Sequence, residues 1–83
     1  MYKVLLKTSA KKELDRLPQK IRGKMVLAID NLALMGIHAK QVKKLHPPIG
    51  GFRMRVGEYR ILFDREDDIV LIHHISKRAD AYS

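Results

Sequence analysis

Residues 52–63 constrain the fold more than any other part of this chain. Phe52-Arg53-Met54-Arg55-Val56 alternates strictly between apolar and basic residues, and Tyr59-Arg60-Ile61-Leu62-Phe63 repeats the apolar set at Tyr59, Ile61 and Phe63. Apolar residues at every second position suit half-buried strands, and only Gly57-Glu58 separates the two runs. A loop this short with glycine first predicts a type II′ hairpin that pairs Val56 with Tyr59, Arg55 with Arg60 and Met54 with Ile61.

That register sorts the side chains. Phe52, Met54, Val56, Tyr59, Ile61 and Phe63 share the face expected to pack on the rest of the protein, and Arg53, Arg55 and Arg60 share the opposite one. Like charges opposed across two strands are destabilising, so Arg55 against Arg60 carries a stability cost without structural return. Such a conflict points to an anionic ligand. The alternative is neutralisation of the cluster by acids such as Asp64 or Glu66, or a different register.

The first half of the chain has another period. Tyr2 to Leu6 is β-prone, and Thr8 or Ser9 offers a hydroxyl to cap a helix with Ala10, Leu14 and Leu17 at helical spacing. Pro18 ends that helix at Leu17 and suits the first turn of the next. In the second helix Ile21, Met25, Ile29, Leu32 and Met35 form an apolar stripe, and Gly36 is placed as its stop. Lys20, Arg22, Lys24 and Asp30 lie on its polar, solvated side. His46-Pro47-Pro48-Ile49-Gly50-Gly51 divides this helical half from the strands. After the acidic turn Asp64-Arg65-Glu66-Asp67-Asp68, Ile69 to Ile75 reads as a third strand, apolar on both faces at its start and therefore central. The fold class is α+β: two amino-terminal helices packed on a small twisted antiparallel sheet, as a single domain over residues 1–83.

Composition narrows the function classes. The 83 residues include 17 Lys plus Arg against 9 Asp plus Glu, a formal charge of +8, and no cysteine. A thiolate nucleophile, a cysteine zinc site and a disulfide scaffold are thereby excluded, and a cytoplasmic location is expected. No run approaches the roughly 20 apolar residues that span a bilayer, so no membrane role is expected. The charge calls for a polyanionic partner, most often nucleic acid, although an acidic protein or an anionic membrane meets the same electrostatics. Lys40, Lys43 and Lys44 form one basic cluster before the Pro-Pro loop, and Lys3, Lys7, Lys11 and Lys12 another. Collectively such lysines suit contacts to RNA phosphates, with binding that weakens steeply with salt.

Two linked segments, KKLHPPIGGFRMRVGEYRILFD and HHISKRADAYS, resemble the RelE/ParE superfamily of toxin–antitoxin toxins, and within it the RelE-like ribonuclease branch: a Lys-Leu turn, an arginine-rich strand, Gly-acid-Tyr-Arg, and a terminal Arg with a nearby Tyr. The resemblance covers nearly the whole chain. It implies the α+β fold already read from periodicity, and an enzyme that enters the ribosomal acceptor site and cuts bound mRNA. Attack by a ribose 2′-hydroxyl would leave a 2′,3′-cyclic phosphate and a 5′-hydroxyl, with no metal or other cofactor. By the same resemblance Arg53 and Arg55 flank the scissile phosphate, Arg60 joins them from the Tyr-Arg strand, and Arg78 and Tyr82 complete the catalytic set. Arg53 and Arg55 stand where the best-known members carry lysines. The implied partners are a cognate antitoxin in a hetero-oligomer, and the ribosome with its mRNA and ribosomal RNA.

The residues suit that chemistry in part. Guanidiniums donate paired hydrogen bonds to phosphate and stabilise charge that grows in the transition state. Arginine is a poor base, so proton transfer needs another group. Tyr82 is one candidate, since a phenol ionises near about pH 10 in water and nearby cations favour the phenolate; a stacking role is equally open to it. His73 and His74, adjacent on a strand, are expected on opposite faces, with one of them able to face the arginines. His46 reads as a loop residue and His38 follows a helix stop. Two rival functions remain: a ParE-like inhibitor of DNA gyrase, and a non-catalytic basic nucleic-acid-binding module.

Overall fold

The computed structural model describes residues 1–48 and 50–77. Its elements run β1 (Lys3–Leu6), α1 (Thr8–Arg16), α2 (Gln19–Met35), a short 3-10 turn (Gly36–His38), β2 (Val42–Lys44), β3 (Phe52–Val56), β4 (Tyr59–Glu66) and β5 (Ile69–Lys77). The strands form one sheet in the order β1-β5-β4-β3-β2. The β2–β3, β3–β4 and β4–β5 pairs are antiparallel, whereas β1 runs parallel to β5, so the sheet is mostly rather than wholly antiparallel. The middle strand is β4, and β5, expected to be central, is an interior strand flanked by β4 and β1.

The β3–β4 hairpin has the register read from its loop: Val56 opposes Tyr59, Arg55 opposes Arg60 and Met54 opposes Ile61. Gly57 takes φ +61 and Glu58 does not take a positive φ, the pattern a type II′ turn requires. Met54, Ile61 and Phe63 enter the core with Val70, Ile72 and Ile75 of β5, and Ala10, Met25, Ala28 and Leu32 cover them from the helices. Phe52 stacks on Phe63 with ring centroids 5.5 Å apart.

Several local expectations need correction. Neither Thr8 nor Ser9 caps α1: Lys7 occupies the cap position without a side-chain bond, and the Ser9 hydroxyl donates instead to the His73 carbonyl at 3.2 Å. The cause is the sheet edge. Pairing with β1 ends at Ile72, so α1 serves the exposed edge beyond it; Lys7 N donates to Ile72 O at 2.9 Å and Ile75 N donates to Glu13 Oε1 at 3.1 Å. In α2 the stripe holds at Met25 and Leu32, but Met35 is 51% exposed and Ala28 is buried. The ring of Tyr2 lies against Gly36, so closely that a Cβ there would fall 2.5 Å from it, and this aromatic closes the end of α2 where Met35 was expected. The edge strand β2 was not anticipated, since three residues with one apolar member carry no readable alternation. Among the described residues, no helix is long and apolar enough to cross a membrane.

The ladder between β4 and β5 contains the feature that shapes the site. Leu62 opposes His74 but the next residue, Phe63, opposes Ile72, so His73 is an extra residue in a β-bulge. The bulge lets Ile72 and Ile75, three apart in sequence, both face the core. It also overturns the expectation that His73 and His74 point to opposite faces, because both line one cleft.

Candidate functional site

The sheet face turned away from the core carries two cross-strand rows. One runs Lys43, Arg53, Leu62, His74 across β2, β3, β4 and β5; the next runs Arg55, Arg60, Ser76. The two-residue alternation places these side chains on the same face. A cleft of about 450 Å³ opens there, lined by Lys43, Lys44, Leu45, His46, Arg53 and Arg60. Arg60 is only 7% exposed, Arg53 is partly buried and Arg55 is exposed. Arg55 lines a smaller recess of about 290 Å³ with Gln41, Val42, Lys43 and Arg53.

Asp64, one of the acids that the alternative reading set against the arginines, is engaged elsewhere: its Oδ2 lies 2.5 Å from His73 Nε2. Among the described residues neither Arg53 nor Arg55 has a carboxylate partner. Guanidiniums brought to one sheet face, with Arg53 and Arg55 lacking a carboxylate partner among the described residues, can serve as a receptor for an anion. Their planar forks match phosphate or carboxylate.

A second cleft of about 330 Å³ adjoins the first, with Leu45 as a common wall. Phe52, Leu62 and Phe63 give it an apolar lining, and Asp64, His73 and His74 its polar groups. Gly51 makes this geometry possible. It has φ +74, and a Cβ there would meet Asp64 Oδ1 at 2.6 Å and the Phe63 carbonyl at 3.0 Å, so a side chain at that position would displace the carboxylate. His74 lies farther out, with Nδ1 3.4 Å from Glu13 Oε1.

The structure thus gathers Arg53, Arg55, Arg60, Lys43 and Lys44 and separates Lys40, which is exposed in a different cleft with Asn31, Met35, His38 and Ala39. His46, read as a loop residue, lines the cationic cleft. Arg78 and Tyr82 lie outside the described residues. The His73–Asp64 pair was not anticipated. The one available signal was Ile72 and Ile75 three apart around two histidines, the phase break of a bulge. Among the described residues no group of three or more His, Asp or Glu side chains is placed to hold a metal ion.

A family model described as the ParE toxin of type II toxin–antitoxin system, parDE, matches residues 4–82. Among solved structures, the toxin–antitoxin complex RelBE2 of Mycobacterium tuberculosis contains a chain 30% identical to this one, with TM-score 0.80 over 93% of this chain and 98% of that one. The RelB–RelE antitoxin–toxin complex of Methanococcus jannaschii matches at 25% identity and TM-score 0.78, covering 94% of each chain. The YoeB–YefM complex of Staphylococcus aureus, at 14% identity and TM-score 0.75 over 92% of this chain and 95% of that one, shares the fold. Among curated protein sequences no significant match is found.

Proposed function

The chain belongs to the RelE/ParE superfamily of type II toxin–antitoxin toxins, and from that premise we propose that it is a ribosome-dependent, metal-independent mRNA endonuclease that inhibits translation. The observation that carries this reading is the cationic cleft, in which Arg53 and Arg60 converge with Lys43 and Lys44 while Arg55 stands across the ladder from Arg60.

Attack of a 2′-hydroxyl on the adjacent phosphate concentrates negative charge on the phosphoryl oxygens. Guanidiniums held in a partly buried site stabilise that charge more in the transition state than in the ground state. Arg60, at the least exposed position, and Arg53 beside it are the clamp; Arg55 extends it toward the neighbouring phosphate. Lys43 and Lys44 take further backbone phosphates of mRNA or ribosomal RNA. By resemblance, Arg78 and Tyr82 complete the catalytic set. A cognate antitoxin, such as the partners named in the RelB–RelE and YoeB–YefM complexes, would form a hetero-oligomer with this chain and cover the cationic face, in the cytoplasm where ribosomes are found.

Incubation with programmed ribosomes should give cleavage at the acceptor-site codon and a 2′,3′-cyclic phosphate end, and the Arg53→Ala, Arg55→Ala, Arg60→Ala triple variant should give none. The ParE description of the matching family model favours a second reading, inhibition of DNA gyrase. Inhibited supercoiling without ribosomal cleavage would select it. RNA binding without cyclic-phosphate product would select the non-catalytic binding module.

A further inference from the structure

The arginine cleft accounts for charge stabilisation but leaves open which group takes the proton from the attacking hydroxyl. We infer that His73 is that general base and that Asp64 is its positioning residue, an assignment that rests on the nuclease reading above. The bulge carries the argument. In a regular ladder one of the two histidines would face the core; the extra residue instead brings His73 into the apolar cleft that shares Leu45 with the cationic one.

The hydrogen bond fixes the tautomer. An ionised carboxylate only accepts, so at 2.5 Å from Asp64 Oδ2 the His73 Nε2 carries the proton and donates it. In the neutral ring Nδ1 then carries the lone pair, and it has no hydrogen-bond partner among the described residues. A neutral imidazole with one nitrogen anchored on a carboxylate and the other open is the arrangement a general base requires. The anchor is itself held: Asp64 lies flush against Gly51, where a Cβ would not fit. His74 is the weaker candidate, being 55% exposed against 24% for His73; its partner Glu13 already accepts the Ile75 amide at the sheet edge.

On this assignment a nucleoside would occupy the second cleft beside a phosphate held in the first, the two clefts sharing Leu45 as a wall. With the phosphate between Arg53 and Arg60, the ribose and base on its 5′ side lie along Leu45, Phe52 and Leu62. His73 Nδ1 takes the 2′-hydroxyl proton as the O2′–P bond forms and the P–O5′ bond breaks. The departing 5′-oxygen picks up a proton from solvent, and His73 returns its own to solvent, so the step is proton-neutral. The charged and titratable groups facing His73 are Asp64 on β4, His74 beside it with Glu13 of α1, and, across Leu45, the cations Arg53, Arg60, Lys43 and Lys44 with His46.

The test measures single-turnover cleavage on programmed ribosomes across pH for the wild type, His73→Asn and Asp64→Asn, with ribosome binding and thermal unfolding measured in parallel. His73→Asn is expected to lose about 10²–10⁴ in rate and the ascending limb of the pH profile while still binding ribosomes; Asp64→Asn should fall between it and the wild type. Because a variant at the bulge can fail to fold, the His73 ring of the free wild type is also titrated by NMR, and its midpoint should coincide with the ascending limb of kcat/KM, which reports the free toxin. A folded His73→Asn with wild-type rate and profile, or a ring titration displaced from that limb, overturns the assignment and leaves the nuclease reading standing. A wild type that cuts no mRNA overturns both.

Discussion

The β3–β4 and β4–β5 ladders share a strand but do different things with it. On one side, unbroken pairing stacks Arg53, Arg55 and Arg60 on the open face and opposes two like charges. On the other, a single extra residue breaks the pairing and sets His73 against Asp64. Regular alternation collects identical groups and so builds an electrostatic receptor. A phase break collects unlike groups from neighbouring strands, which is what an acid–base pair needs. The two ladders meet at Leu62, between Arg53 and His74, so in the proposed mechanism charge stabilisation and proton transfer would occupy adjoining clefts.

Substitutions that affect both ladders, or only one, separate these contributions. Ile61 is fully buried and pairs with Met54 on one side and Ile75 on the other. Ile61→Ala should destabilise the protein by about 2–5 kcal/mol in urea unfolding and abolish both RNA binding and cleavage. Gly51→Ala acts most directly on the irregular side: forcing a side chain at φ +74 against Asp64 should cost about 1–3 kcal/mol, with cleavage reduced more than RNA retention on a filter. Retained cleavage in a folded Gly51→Ala would show that the seating of Asp64 is irrelevant.

On the regular side the effects are smaller. Lys43→Ala should lower the slope of log K against log salt for RNA binding by about 1, the loss of one phosphate contact; an unchanged slope would remove Lys43 from the interface. Arg55→Thr relieves the like-charge pair across from Arg60 and should raise stability by about 0.2–1 kcal/mol while lowering cleavage. A variant that gains stability as it loses activity would mark Arg55 as kept for function.

How much of this was legible follows the range of the interactions. The hairpin register was readable because the Gly57-Glu58 loop fixes it locally, and the arginine cluster follows from the register. The stop of α1 before Pro18 and of α2 at Gly36 were local in the same way. By contrast β2 depends on β3 for its existence, with Leu45 N donating to Gly51 O at 2.9 Å and Arg55 N to Gln41 O at 3.2 Å. The parallel seating of β1 on β5 joins residues more than sixty positions apart. Ser9 looked like a helix cap and is a sheet-edge donor, because the vacant carbonyl of His73 is visible only once β1 is known to stop short. Lys40 adjoined Lys43 and Lys44 in sequence and faces another cleft in space. The roles of Arg78 and Tyr82 come from the family resemblance alone.

The central claim is that the cationic cleft is a catalytic site for RNA cleavage. Its most direct test compares the wild type with Arg60→Ala on ribosomes carrying a defined acceptor-site codon, reading the rate of appearance of the 2′,3′-cyclic phosphate end. The account predicts cleavage by the wild type and a loss of about 10²–10³ in rate for the variant, with its fold and ribosome binding intact. Equal rates for the two proteins, or no cyclic-phosphate product from either, would contradict it.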